Sequence, residues 1–422
     1  MATVVDPGQL DGLFKEVYGD SVENLVPETA RLINDVEFTN STKVGDSYHQ
    51  PVILTNEHGV TYAGPDAGAF DLNAANALTM KDASVQGYQM LLRSQISYDA
   101  AARAVSGGDK AFESSTGLLV ANMAESLGKR LEISMWYGQD GICEFDTEVA
   151  STATTITAEA TSGSWASGIW SGLEGALVDV YEGASKLNTT GDVTVTTVDT
   201  DTQQVVLTAA AADITAISDV LTDGSPATRV VDVHFKGAYG NEMPGVNSII
   251  TNTGSLFGID ASAYNLWRSN VSTVTGALNM AKVLDSVSKA VDRGLDEDVK
   301  LYVAPSVWAT LNSDESDLRR YDSSYTGTKS ESGTESIMYH GQNGKIEVVS
   351  HNVIKEGDAF VMPTRRWKRI GATDITFRNP GKGGEFFREL ETKAGFELRS
   401  YLDQSIFCET PARNVKITGF TV

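Results

Sequence analysis

The sequence predicts an α+β fold in which a small all-β domain is inserted into a larger mixed body. Three observations carry this. Positions 106–138 place apolar residues three and four apart over a span long enough for a structural spine helix. Positions 147–237 change character, becoming rich in Thr, Ala, Asp and Gly with short β-type runs. Positions 241–271, NEMPGVNSIITNTGSLFGIDASAYNLWRSNV, set turn residues (Pro244-Gly245, Gly254, Gly258) around a short apolar run (Val246, Ile249, Ile250) and end in Tyr264, Trp267 and Arg268. This last stretch is a packing pattern, without a nucleophile–base pair, metal box or phosphate loop.

The elements follow in chain order. Asp6-Pro7 joins an N-cap residue to proline at a first helical position. Leu10, Leu13, Phe14, Val17 and Tyr18 then share one helix face, and Gly19 ends it. Such a helix needs a partner surface, on its own domain or elsewhere. Positions 48–55 and 60–62 read as extended, separated by the turn-like Asn56, Glu57, His58 and Gly59. A small, polar, Gly-rich stretch follows at 64–78, then a second extended run at 84–92. An isolated two-stranded arm is marginal in water, so this one must lie on its own body or on a neighbouring subunit. Ser106 with Asp109 forms a capping-box match at the start of the spine helix. Its stripe is Phe112, Thr116, Leu119, Met123, Leu127, Leu131 and Met135, ending at Trp136-Tyr137-Gly138, about eight turns at roughly 3.6 residues each.

Within 147–237 the strand-like runs are 154–157, 193–198, 204–208 and 229–235, with Trp165, Ile169 and Trp170 as anchors. A single helix is expected at 175–185 or at 211–220. Lys186 is the only basic residue between 150 and 228, so the block is acidic. Beyond 271, Leu278, Ala281, Leu284, Val287 and Val291 mark an amphipathic helix closed by Gly294. A strand is expected at 299–304, a helix from Pro305, a polar loop at 322–336, strands at 345–350 and 359–362, and extended runs at 395–409 and 414–420.

Composition bounds the function. A chain of 422 residues exceeds one ordinary core, so two or three domains are expected. A net charge of -23 argues against a dedicated nucleic-acid binder, which must neutralise phosphates, and suits solubility at high concentration. Cys143 and Cys408 are too few for a disulfide framework. They read as buried free thiols of one domain, the alternative being a staple within or between subunits. The N-terminal MATVVDPGQLDGL lacks the basic and apolar regions of a signal peptide, and no apolar run is long enough to span a bilayer. The expectation is a soluble, cytoplasmically made protein without membrane contact. Five histidines are scattered, without HExxH, CxxC, GxSxG or a P-loop. Asp199/Asp201 and Glu297/Asp298 sit in turn-like contexts, and a Ca²⁺ site at 199–201 lacks the EF-hand ligand pattern. No catalytic residue, metal ligand or cofactor is therefore assigned.

Pro244-Gly245, Gly258-Ile259-Asp260 and Tyr264-x-x-Trp267-Arg268 closely resemble a segment of tailed-bacteriophage major capsid proteins, where it precedes the apical domain. The order of elements over approximately 22–146 and 238–422 resembles the Hong Kong phage-type viral capsid fold shared by tailed phages and herpesviruses. The resemblance implies an N-terminal arm (1–42), an extended loop (43–92), a peripheral domain with the spine helix (93–146) and an inserted β domain (147–237). It further implies a return to the capsid core (238–277), an apical domain (278–358) and an apical/peripheral return with C-terminal strands (359–422). The insertion departs from the minimal family pattern, although Trp165-x-x-x-x-Trp170 before an acidic strand is similar to insertions in some members.

The function implied is that of a non-enzymatic major capsid protein. It would self-assemble as hexamers and pentamers into the icosahedral head of a tailed double-stranded DNA bacteriophage, made in the host cytoplasm and resident in the virion. Implied partners are further copies of itself, a scaffolding protein that is separate or already removed, a portal, a decoration or cement protein, and packaged DNA through weak non-specific contact. An encapsulin-like nanocompartment is the alternative within the fold, and a β-rich adhesin or hydrolase the alternative outside it. Pro244, Gly245, Gly258, Asp260, Tyr264, Trp267 and Arg268 are the structural or intersubunit candidates, with Trp267 expected to be buried. The basic cluster Arg365, Arg366, Lys368 and Arg369 either faces DNA or a neighbour, or pairs with local Asp and Glu. Some relatives cross-link Lys to Asn, but no position here matches that motif. The acidity implies that low salt or high pH opposes assembly.

Overall fold

The computed structural model describes residues 30–40, 47–98, 115–222, 230–318, 337–377 and 387–421. The expected helix at 10–18, the Ser106/Asp109 cap, Phe112 and the polar loop at 322–336 lie outside these residues. The spine helix runs Ser115–Tyr137. Its described 23 residues make about six turns. Met123, Leu127, Leu131 and Met135 of the expected stripe are buried, but so are Glu132, Ile133, Ser134, Trp136 and Tyr137. The last turns are therefore enclosed on all sides, as for a helix threaded between layers.

Those layers are three sheets. A five-stranded sheet is built around the long strand Gly395–Cys408, which pairs with Trp367–Thr376, Phe387–Glu389 and Tyr88–Ser97; Phe38–Asn40 adds in parallel to Trp367–Thr376. A six-stranded sheet has the order Asn270–Thr273, Val415–Thr418, Asp358–Met362, Val299–Val303, Lys345–Ser350, Ile337–His340. Its central strands bury both faces. Leu301, Val303, Ala359 and Val361 join one core with Val283 and Val287 of the helix Met280–Val291. Tyr302, Phe360 and Met362 alternate onto the other core, where Trp136 meets Tyr302 and Phe360 at ring distances of 5.1 and 5.4 Å. A strand buried on both faces reads as a continuous apolar run, which is why 299–304 was legible as a strand.

The third sheet closes on itself. Val231–Phe235, Cys143–Ser151, Thr155–Ala160, Gln204–Thr208, Val193–Asp199 and Leu177–Glu182 pair in that order, and Leu177–Glu182 pairs back to Val231–Phe235. The result is a six-stranded barrel, which removes free strand edges. Phe145, Val178, Val195, Leu207 and Val233 are buried in this core, and Trp165 stacks on Trp170 at 5.7 Å. The helix Ala211–Thr222 buries Ile214, Ile217 and Val220. The first strand of this block begins at Cys143, ahead of position 147. Of the two places expected for a helix, 211–222 is the helix, and the segment near 175–185 is strand. One expectation is corrected here. Cys143 thus stands in the barrel while Cys408 stands in the five-stranded sheet, so the two thiols do not share one domain. Both are buried and free, and burial pushes them up to about 11 and about 12.

The extended arm is a two-stranded hairpin, Tyr48–Thr55 against Thr79–Val85. Its strand partner begins earlier than expected, and 60–62 is not a strand. The run expected at 84–92 divides: its beginning closes the hairpin, and its remainder joins the five-stranded sheet as Tyr88–Ser97.

Candidate assembly seam and its basic residues

Residues 241–271 meet the spine helix, the long hairpin and both open sheets, and local chemistry explains how. At the end of the spine helix, Gly245 N donates to Gly138 O at 2.9 Å. A Cβ on Gly245 would stand 2.6 Å from both Gly138 N and Trp136 O, and one on Gly138 would stand 2.1 Å from Met243 O. Only two glycines allow backbones to cross this closely. Pro244 is half-buried in the turn that delivers Gly245.

Ser255–Leu256 and Ile259–Asp260 then form a tight hairpin whose two central residues, Phe257 and Gly258, have φ of 51° and 82°. Positive φ at both positions is what a two-residue primed turn requires. Phe257 is bulky for that conformation, and its partners account for its retention. Its ring packs on Phe407 at 4.9 Å, and its carbonyl accepts from Ser84 N at 3.0 Å. Phe407 also meets Tyr48 at 5.7 Å. The tight hairpin thereby clamps the base of the long one to the five-stranded sheet. Asp260 is exposed and its carboxylate accepts from Ser262 N at 2.8 Å, a local turn contact.

Trp267 fills the centre of this seam. It is 2 % exposed and its Nε1 donates to Leu256 O at 3.0 Å. Tyr264 is half-buried, with the Lys81 ammonium 5.8 Å above its ring. Arg268 is half-buried and its carbonyl accepts from Arg293 Nη1 at 2.7 Å. The chain then enters the six-stranded sheet through Asn270–Thr273.

The basic cluster is mostly matched within the chain. Arg366 pairs with Glu297 at 2.9 Å, and Lys368 pairs with Glu409. Arg369 is buried, donating to Val36 O at 3.1 Å, Asp374 Oδ1 at 3.1 Å and Gln404 Oε1 at 3.2 Å. The carboxylates beside Arg366 and Lys368 hold both cations above their ordinary pKa values. Arg365 alone of the four is exposed.

One buried cluster had no sequence signal beyond an acid set among apolar neighbours. Glu132 and His351 are both fully buried, 2.7 Å apart. The Glu132 carboxylate also accepts from Leu32 N (2.7 Å), Ile33 N (3.0 Å) and Trp136 Nε1 (3.1 Å). His351 Nδ1 accepts from Val353 N at 3.3 Å, which places its proton on Nε2, toward Glu132. The short helix Arg31–Asp35 has no side-chain cap of its own. Glu132 supplies one from a distant segment, satisfying two amides of its first turn. Asp35 at the other end accepts from Lys300 and Tyr302, each at 2.5 Å. No group of three or more His, Cys, Asp or Glu is placed to hold a metal among the described residues.

No protein-family model matches the chain, and no curated protein matches it. Solved structures do. A chain of the cyanophage A-1(L) capsid asymmetric unit aligns over 99% of this chain and 100% of its own, with a TM-score of 0.55 and 11% identity. The capsid of a native GTA particle aligns over 100% of both chains, with a TM-score of 0.53 and 9% identity, and that of an empty GTA particle over 97% and 96%, with 0.51 and 9%. The chain therefore has the α+β Hong Kong phage-type capsid fold.

Proposed function

We propose that this protein is a major capsid protein that self-assembles into the icosahedral head of a tailed double-stranded DNA bacteriophage. The observation that carries the reading is end-to-end likeness to capsid subunits, insertion included. The long hairpin supports it. Two strands alone are marginal in water, and Val60, Tyr62, Phe70, Leu72 and Met80 stand exposed on or beyond them. Apolar groups displayed together mark a surface that another chain covers. Obligate interfaces bury roughly 2,000 Å² or more, and one heterologous contact repeated around an axis closes into rings. Hexamers and pentamers are the rings an icosahedral shell needs.

On this reading the five-stranded sheet with the spine helix is the peripheral domain, the six-stranded sheet with its helices the apical domain, and the barrel the insertion. The role is structural, not catalytic. A scaffolding protein, a portal and a decoration protein are the expected partners. DNA contact is weak, because the ion pairs of Arg366 and Lys368 and the burial of Arg369 favour local pairing over a phosphate-facing role for the basic cluster.

Negative-stain microscopy and sedimentation velocity of the purified chain, with and without a co-expressed scaffold, test the proposal. Closed shells of uniform diameter are expected, favoured by added salt because screening weakens repulsion between subunits of charge -23. Monomers that persist at every salt and concentration, or shells filled with an enzyme cargo, would overturn it.

A further inference from the structure

Three cations line one hollow beside the Trp267 plug. Arg268 comes from the seam; Lys289 and Arg293 come from the end of the helix Met280–Val291 and the turn after it. The hollow has a volume of about 280 Å³, and Asn252, Ser269, Asn270, Val271 and Asp292 complete its wall. Arg293 Nη1 donates to the carbonyls of Arg268 (2.7 Å) and Ser269 (3.3 Å). Lys289 Nζ donates to Ser272 Oγ at 3.3 Å, and Arg268 Nη2 stands 3.4 Å from Ser262 O. Arg268 Nε and Ser269 Oγ are buried without a partner.

What sets this arrangement apart is that three cations gather around one hollow. Acids outnumber bases 56 to 33, and several cations pair with them: Lys186 with Asp179, Lys236 with Asp192, Lys300 with Asp35, Arg413 with Asp296 and Glu297. Others, such as Lys129, Lys282 and Lys355, hold backbone carbonyls. Among the described residues no carboxylate lies within ion-pair distance of Arg268, Lys289 or Arg293, although Asp292 shares the wall. Burial first, and the neighbouring Arg268 second, hold Arg293 below its usual pKa. Like charges gathered and left unmatched in an acidic chain point to a neutralising group from outside it.

We propose that the hollow is an intersubunit carboxylate receptor: an exposed Asp or Glu side chain of a second copy of this chain enters it and pairs with Arg268 and Arg293. Lys289 adds a third positive charge at the rim. The inference rests on the self-assembly reading above. Size and charge favour a carboxylate over nucleic acid. The volume suits one side-chain head, and a guanidinium fork matches a carboxylate in two parallel hydrogen bonds. A duplex would require a run of cations that follows its phosphates, and three cations around one hollow with Asp292 beside them do not provide one.

The test compares the critical assembly concentration, by light scattering and sedimentation, of the unaltered chain with Lys289→Gln, Arg293→Gln and, as a control exposed lysine, Lys393→Gln. Thermal unfolding of the unassembled subunit checks the fold. Lys289→Gln serves if Arg293→Gln fails to fold, since Arg293 also holds backbone carbonyls. The expected result is a rise of about tenfold for each hollow variant, a flatter dependence on sodium chloride, an unchanged subunit melting temperature, and no change for Lys393→Gln. Unchanged critical concentrations in folded variants would refute the receptor while leaving the capsid reading standing. Normal assembly with weakened binding of a short DNA duplex, by fluorescence anisotropy, would assign the hollow to phosphate and refute it equally. Absence of shells from the unaltered chain would remove the capsid reading and the receptor together.

Discussion

The barrel at 143–235 and the hairpin at 48–85 are both antiparallel β structure, yet they solve the problem of strand edges in opposite ways. The barrel pairs its last strand with Leu177–Glu182 and leaves no open end in its ring. Its apolar side chains point to its own centre, as Val178, Val195, Val205 and Leu207 show. The hairpin has two strands, one face clamped at its base by Phe257 and Phe407, and a far end whose Tyr62 is 90% exposed and Leu72 80% exposed. One element covers its own apolar groups; the other leaves apolar groups that the described residues do not cover. Self-sufficient and dependent parts of one subunit can therefore be told apart by where their apolar groups point.

Mutations at the two ends of this contrast should act on different observables. Trp170→Ala in the barrel removes a fully buried ring stacked on Trp165. It should lower the stability of the unassembled subunit by about 3–5 kcal/mol in urea unfolding. Tyr62→Ser and Leu72→Ser, by contrast, should shift subunit stability by less than about 0.5 kcal/mol, yet raise the critical assembly concentration severalfold. A hairpin variant that unfolds the subunit, or a barrel variant that spares it, would erase the distinction.

Glu132 tests whether the interior between these regions is as tightly specified as the barrel. Four donors converge on its carboxylate. Glu132→Gln turns an amide NH₂ toward some of them and removes the charge that strengthens them all, at a cost of about 2–3 kcal/mol of unfolding free energy in urea melts. A neutral outcome would mean that the short helix Arg31–Asp35 contributes nothing to the unassembled subunit.

A smaller effect is expected at the clamp. Gly258→Ala places a Cβ on a backbone with φ of 82°. The loss should be about 1–2 kcal/mol, accompanied by faster proteolytic cleavage within 56–78 if the tight hairpin is what holds the long one down. Cleavage at the parental rate would place the anchor elsewhere.

The smallest effect has the opposite sign and belongs to the barrel. Asp232 lies across from Glu144 on the neighbouring strand. Burial first, and Glu144 second, push its pKa up to about 6. The raised value means that the folded state binds this proton more tightly than the unfolded chain does. Stability from this group is therefore greatest below the unfolded value near 4 and is lost as pH rises through 6. Asp232→Asn should accordingly stabilise the subunit at pH 8 by about 1 kcal/mol, after discounting for its partial exposure. The gain should shrink steadily as urea melts are repeated from pH 6 towards 4. A gain that does not change with pH would deny that the ionised carboxylate is its source.

Much of this was legible because it is local. The described part of the spine helix, the helix Met280–Val291 and the doubly buried strand Val299–Val303 each appeared where its residues placed it. The face of the second helix is corrected: Ala281 and Leu284 of its expected stripe are exposed, and Met280, Val283, Val287 and Ala290 are the buried ones, because the sheet covers that side. Trp267 was expected in the interior and stands there. The misreadings of strands share one cause. A strand's identity depends on its partner: 60–62 has β-type residues, but Thr79–Val85 pairs first with Tyr48–Thr55 and leaves 60–62 unpaired. The segment 177–182 became strand because Val193–Asp199 and Val231–Phe235 offered it two edges.

From the sequence alone came the helix positions, the acidic insertion, the turn glycines and the resemblance those turns carry. They rest on propensity and spacing, which act over a few residues. The tertiary structure alone decided that Gly138 and Gly245 must both be glycine, because a Cβ on Gly245 would meet the backbone of Trp136 and Gly138, and one on Gly138 would meet the carbonyls of Met243 and Ser134. It alone showed that Arg366 and Lys368 are matched while Arg268, Lys289 and Arg293 are not, because charges pair across space. Glu132 and His351, separated by 219 positions, make the same point. A buried charge is tolerated only where distant donors converge on it, and such convergence leaves no trace in the order of residues.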